Sequence, residues 1–248
     1  AFVAGAHEFA NVLGAEGVRF MLENARRTPF KIFFGVPSCV PATPFETAGA
    51  ALGLEEMESL FLEPEVRHVA EMMNFPAVLA RDPQVMAKIE LAHKLGRPVD
   101  GHAPGLRGSE AADYAAAGIS TDHECFTLDE ARDKIDAGMH ILLREGSAAC
   151  NFETLHSLIS TDTERVMLCC DDKHPDDLAV GYIDRLAARA VAEGHQPLDV
   201  LRCACVNPVL HYGLPVGLLR LNDPMDAALV TDLREFRPLK VWLAGRQA

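Results

Sequence analysis

Four residues spread along the 248-residue chain carry donor groups that suit a divalent cation: Glu71, His102, His123 and Asp171. Imidazole nitrogen and carboxylate oxygen together fit zinc, manganese or iron, and no set of neighbouring thiolates points to a structural zinc. Each closes a short apolar run, as His102 closes "PVDG" ahead of the turn "APG". Ligands on separate strands can surround an ion, whereas two on one loop usually cannot. Taken singly, each residue has an ordinary structural role open to it. Glu71 could pair with Arg67 or Arg81, Asp171 could cap the following helix, and a lone histidine after a strand is commonly a hydrogen-bonded rim residue.

The elements that must position these groups recur at a regular pitch. The runs "FVAG", "FKIFFGV", "VRHVA", "PVDG", "GIST", "MHILL" and "RVMLCC" end in His7-Glu8, Ser38-Cys39, Glu71, His102, His123-Glu124, Arg144-Glu145 and Asp171-Asp172. From position 8 through 39, 71, 102, 123, 145 and 171 the steps are 31, 32, 31, 21, 22 and 26 residues. That is one strand, one helix and two short loops per step. Helical periodicity appears at 16–28, 82–96, 109–118, 128–138 and 178–194. Asp82-Pro83 and Ser109 act as start signals, and Gly96, Gly118, Gly138 and Gly194 as stops.

Strands alternating with helices predict an α/β fold with a parallel sheet. A (β/α)8 TIM-type barrel spends about 250 residues on eight such units and gathers its strand-end polar residues on one face. Seven strands are counted here, and an open doubly wound sheet is the alternative. A further helix at 197–206 is expected to stop before Pro208. Residues 1–212 are read as the barrel and 213–248, with short β-like runs and turns, as part of a small β appendage.

Composition narrows the partners. A net charge of −13 disfavours nucleic acid and anionic membrane surfaces. No apolar run reaches the roughly 18 to 20 residues of a membrane helix, and no secretion signal is visible. The seven cysteines are read as reduced, mostly buried thiols of a cytoplasmic protein. Cys203-x-Cys205 is assigned to core packing, for want of a partner pair.

The segments "AEMMNFPAVL" (70–79), "RPVDGHAPGL" (97–106), "AAAGISTDHE" (115–124), "LLREGSAACNFETL" (142–155) and "CCDDKHPDDLAVGYIDRLAARA" (169–190) resemble the adenine deaminases, a metal-dependent branch of the amidohydrolase superfamily. "HEFANVLGAEGVRFML" (7–22) and "PSCVPATPFETAGA" (37–50) are similar as well. The resemblance implies a distorted barrel, here with its strands 2 to 8 and part of a β-sandwich appendage. It also implies a centre of two divalent metals, manganese or iron with zinc as the alternative. Glu71 would bridge the metals, His102 and His123 would hold one, and Asp171 would complete the other and act as general base.

The implied reaction is hydrolytic deamination of adenine to hypoxanthine and ammonia by a metal-activated hydroxide, in purine salvage. Asp172, Arg144, Glu145 and Ser147 would bind the substrate. Asp172 has helix capping as its structural alternative, and Arg144 and Glu145 could instead form an ion pair. His7, Glu8, Asp122 and Glu124 would orient ligands or relay protons. A homo-oligomer with a small-molecule purine substrate is expected. The family's His-x-His pair, carried on its first strand, has no counterpart here. The expectation is therefore a fragment lacking that strand and the carboxyl-terminal domain, and inactive by itself. Three departures stand out: Gly5-Ala6 where Asp-Pro is usual, Tyr182 where histidine is common, and the tail "LRLNDPMDAALV". The other readings are a hydrolase of a different cyclic amidine or amide, and an inert remnant.

Overall fold

The computed structural model describes residues 2–43 and 45–248. Ala1, the first residue of the expected 1–212 domain, and Pro44, within "PSCVPATPFETAGA", lie outside the described residues. The chain forms two compact units, Ala1–Asp122 and His123–Ala248.

In the first unit the strands β1 (Phe2–Ala4), β2 (Ile32–Pro37), β3 (Val66–Met72) and β4 (Val99–Gly101) lie side by side in chain order. All three pairings are parallel. The near-continuous burial of β2, in which only Ile32 is partly open, fits a strand covered on both faces. Gly35 is required there. A Cβ at that position would come within 2.5 Å of His68 Nε2 and 2.8 Å of the Ala70 backbone nitrogen. A short β5 (Thr121–Asp122) continues beside β4, where the Ser120 N–H donates to the Val99 carbonyl at 2.9 Å.

Start and stop signals account for much of the helical structure, with corrections. Asp82 accepts from the Gln84 and Val85 N–H groups at 2.9 and 3.1 Å, and the helix Pro83–Lys94 begins as the sequence predicts. Ser109 is not a cap: that helix spans Gly108–Ala116 and its N-cap is Arg107. His7 does not end a strand either. β1 stops at Ala4, and His7 opens the helix His7–Leu13, a seven-residue stretch too short for periodicity to reveal. The helix Leu54–Leu60 was likewise unsignalled, although Glu56 reaches back to the Gly53 N–H at 3.0 Å.

The second unit carries β6 (His140–Arg144) and β7 (Val166–Cys169), parallel, with Arg144 opposite Cys169 at their carboxyl ends. Ile141, Leu143, Val166 and Leu168 from these strands pack with Phe152, Leu155, Leu186 and Ala190 into one apolar core. The continuous helix expected over 178–194 is two helices, Pro175–Val180 and Ile183–Ala192. The break falls at Gly181-Tyr182, where the Tyr182 N–H donates to Asp184 Oδ1 at 2.9 Å and starts the second helix afresh. Pro208 does not stop the chain's helical course. A π-helical turn, Arg202–Val206, precedes it, and Pro208 sits in the first turn of the helix Asn207–His211, where a missing N–H costs nothing.

The tail forms a three-stranded antiparallel sheet of β8 (Ala227–Val230), β9 (Pro238–Leu243) and β10 (Arg246–Gln247). The cysteines are all free, but they are not mostly buried: Cys125, Cys170 and Cys203 are, Cys39 and Cys169 are half-buried, and Cys150 and Cys205 are exposed. Among the described residues no helix is long and apolar enough to cross a membrane.

Candidate metal centre

In the first unit, β3 carries Glu71 past a register shift between Val69 and Met72 in its pairing with β4. A local irregularity of this kind re-aims a side chain at a strand end. The two oxygens of the Glu71 carboxylate face different imidazoles: Oε2 lies 2.9 Å from His102 Nδ1, and Oε1 lies 3.7 Å from His7 Nδ1. His7 Nε2 is buried and has no hydrogen-bond partner. Burial lowers the pKa of His7, an effect only partly offset by the charges of Glu71 and Glu8, so the ring favours its neutral, metal-ligating form. Glu8 itself is exposed.

Two buried groups fix His102. The Tyr114 hydroxyl donates to the Met72 carbonyl at 2.8 Å and accepts from the His102 N–H at 3.2 Å, tying the end of β3 to the residue after β4. Burial pushes the Tyr114 hydroxyl pKa far above its ordinary value, so it remains a donor. Asp122, fully buried, accepts from the Ala103 N–H at 3.0 Å and so holds the loop that carries His102. Behind them His68, almost fully buried, has its Nε2 3.3 Å from Asp100 Oδ2. Tyr114→Phe removes both bonds of the hydroxyl and leaves an N–H and a carbonyl without it. Urea unfolding is expected to show a loss of about 1–3 kcal/mol with the m-value unchanged.

In the second unit, His123, Glu124 and Asp171 each present a ligand atom, all within 4.8 Å of one another. His123 Nε2 is 3.4 Å from Glu124 Oε1 and 3.9 Å from Asp171 Oδ2. Asp171 follows β7 with φ of 52°, a left-handed backbone that aspartate and asparagine accept more readily than most residues. Arg144, at the end of β6, donates through both of its terminal nitrogens to Glu124 and through Nη1 to Asp171 Oδ2 at 2.6 Å. Burial works to lower the Arg144 pKa, but its hydrogen bonds to the Glu124 and Asp171 carboxylates outweigh it and the net shift is upward. Asn151 organises the same corner. It accepts from the Arg144 N–H at 2.7 Å and donates to the carbonyls of His123 and Cys125 at 3.1 and 3.2 Å.

The remaining predicted residues lie around this corner with partners of their own. Arg144 and Glu145 do not form the pair the sequence suggested, because Glu145 takes Arg189 at 2.9 Å. Ser147 donates to Asp177 at 2.5 Å and accepts from the His174 N–H at 2.8 Å. Asp172 is exposed, and its carbonyl accepts from the Ser147 N–H at 2.8 Å. The helix at Pro175 starts from His174 with no side-chain cap, so neither Asp171 nor Asp172 caps it. Tyr114, Asn151 and His68 carried no signal in the sequence. Their partners are contributed by other strands, and no local pattern marks them.

The profile of the amidohydrolase family matches residues 1–248. The chain belongs to the amidohydrolase family. Curated adenine deaminases are similar over nearly all of it: that of Methanosarcina mazei is 52% identical over 246 residues, and that of Sulfurovum sp. is 53% identical over 245. Each match takes in 99% of this chain but only 44% and 46% of the relative, so the chain spans a little under half their length. A beta-aspartyl dipeptidase from Fervidobacterium islandicum superposes with a TM-score of 0.70 at 15% identity, covering 99% of this chain and 71% of that one. An N-acetyl-D-glucosamine-6-phosphate deacetylase from Mycobacterium smegmatis gives 0.65 at 17%, covering 100% and 74%. At such identities the likeness concerns the fold alone: this amidohydrolase chain has the α/β architecture of the family's TIM-type barrels.

The donor chemistry suits the metals on which amidohydrolases depend. Carboxylate oxygens and imidazole nitrogens converge within each unit, His7 Nε2 is buried without a hydrogen-bond partner, and no cysteine belongs to the ligand groups found among the described residues.

Proposed function

We propose that this chain supplies most of the catalytic domain of an adenine deaminase, converting adenine and water to hypoxanthine and ammonia. The observation that carries the reading is the Glu71 carboxylate, each of its oxygens turned to a different imidazole, on a chain about half identical to curated adenine deaminases. The metal-holding residues are Glu71 and His102 in the first unit and His123 and Asp171 in the second. Nitrogen and oxygen donors accept manganese, iron or zinc, and the likeness to adenine deaminases favours manganese or iron, two per site. When bound, such cations lower the pKa of water towards about 7 and so supply a nucleophile at neutral pH.

The protein's own groups do the rest. Asp171 takes a proton from the attacking water and delivers it to the amine. The amine leaves as ammonia when the C6–N bond breaks after the C6–O bond has formed, while the water's second proton ends on the ring N1 of hypoxanthine. Arg144 and Glu124 hold Asp171 and His123 in place. Asp172, exposed beside them, accepts from an N–H of the purine's five-membered ring. Glu145 and Ser147 shape that side of the site, and residues 213–248 form part of a small β appendage. Seven free cysteines support a reducing, cytoplasmic setting.

The test is ammonia release by the protein expressed from its intact gene and purified without chelators, on adenine, adenosine, guanine and hydantoin. Turnover of adenine above the others is expected, with about two metals per chain by elemental analysis. Glu71→Gln should lose at least one of them. Turnover of another compound with none of adenine would end this reading.

A further inference from the structure

A cavity of about 310 Å³ lies at the opposite end of β6 and β7 from Arg144 and Asp171. Its lining includes His140, the first residue of β6, and Arg165, which immediately precedes β7. Arg202, Leu210 and His211 complete the part of the wall that matters here, with Glu164 the only acid. Two guanidinium groups against one carboxylate make a positively charged patch on a chain whose net charge is −13. Such a reversal against the overall field concentrates anions locally.

The basic groups are not used up by the protein. Arg165 gives one bond, from Nη1 to the Gly138 carbonyl at 2.9 Å. Arg202 reaches Glu164 through Nη2 at 3.0 Å, on a glutamate whose side chain is 80% exposed, while its Nε–H is buried with no partner. A buried guanidinium N–H without a bond is under-satisfied, as groups at ligand sites commonly are before the ligand arrives. The backbone here is also specialised. Arg202 opens the π-helical turn Arg202–Val206, a conformation that recurs at functional sites. Asn207 anchors the end of that turn, donating from Nδ2 to the Thr163 and Val166 carbonyls, both at 2.7 Å. The turn is thus pinned to the segment that carries Glu164 and Arg165. Across the cavity, the His140 and His211 rings meet edge to face, with centroids 4.7 Å apart, and Leu210 adds an apolar, exposed surface.

We propose that this cavity is a second ligand site, which binds the phosphate group of a small phosphorylated metabolite or free phosphate. Arg165 and Arg202 present planar forks of donors suited to phosphate oxygens. The imidazoles and Leu210 offer the flatter, less polar wall on which an organic remainder would rest. The site is separate from His123 and Asp171, which meet at the other ends of these strands.

Equilibrium dialysis of the intact protein with inorganic phosphate and, separately, with ribose 5-phosphate tests it. One equivalent is expected to bind saturably at millimolar concentration. Arg202→Gln and Arg165→Gln should each weaken binding by about tenfold or more, the effect of losing one charge-assisted hydrogen bond. Arg220→Gln should leave it unchanged, since Arg220 pairs with Asp223 elsewhere on the surface. Tighter binding of ribose 5-phosphate makes a phosphomonoester the occupant, and equal constants make it free phosphate; both support the site. Absence of saturable binding in the unaltered protein overturns the proposal. So does an unchanged constant in Arg202→Gln, which would place the anion at the metals, or an equal loss in Arg220→Gln, which would mean unspecific charge attraction.

Discussion

Replacing Arg144 by methionine is expected to cost the protein about 3–5 kcal/mol of stability, the range for a buried ion pair robbed of one partner. Arg144 is only 3% exposed and Glu124 7%, and the guanidinium contacts Glu124 through both terminal nitrogens. Without it the Glu124 carboxylate stays buried beside Asp171 and loses the guanidinium that offsets the two negative groups. The penalty is mostly desolvation of the stranded carboxylate rather than the intrinsic strength of the pair. Adding Glu124→Gln should therefore return part of the lost stability, because an amide is far cheaper to bury than an unpaired charge. The double variant would then be more stable than the sum of the two single losses predicts. Urea unfolding of all four proteins measures both quantities. A cost below about 1 kcal/mol for Arg144→Met, the range of an exposed pair, would show that the corner is wet.

Asp171→Asn is expected to lower kcat for adenine by about 10²–10⁴, the usual contribution of a positioned general base. Asparagine is the informative replacement here. Asp171 holds φ at 52°, and asparagine tolerates that left-handed backbone, whereas alanine would add strain of its own. The amide keeps the shape of the side chain and can still accept from Arg144, but it takes up no proton. Stability should change little while the rate collapses, since the Arg144–Asp171 bond ends on a side chain that is 35% exposed. Stopped assays for ammonia, paired with an unfolding curve for the same variant, separate the two effects. An active Asp171→Asn enzyme would remove the residue from the proton path.

Much of the fold was legible because its signals are local. All seven strand runs reappear as β1 to β7, and the parallel pairing follows from strands alternating with helices. Local signals failed where a long-range contact or a short stretch decided. The helix His7–Leu13 is too short to show a period, and Tyr182 restarts a helix because Asp184 reaches back to its N–H. Pro208 looked like a stop, yet a π-helical turn brings the chain to it in a geometry that needs no N–H there.

For the candidate site, residue type and pitch along the chain pointed to Glu71, His102, His123 and Asp171, because strand ends in a parallel α/β fold carry its polar chemistry. Which groups hold them was decided only in three dimensions. Arg144 chose Glu124 and Asp171 over its neighbour Glu145, Tyr114 joined the end of β3 to His102, and Asn151 tied His123 to Arg144. Those bonds link residues many positions apart, so no pattern along the chain encodes them. Burial makes them obligatory, since a polar group taken out of water must find whichever partner the packing of strands and helices has brought within reach.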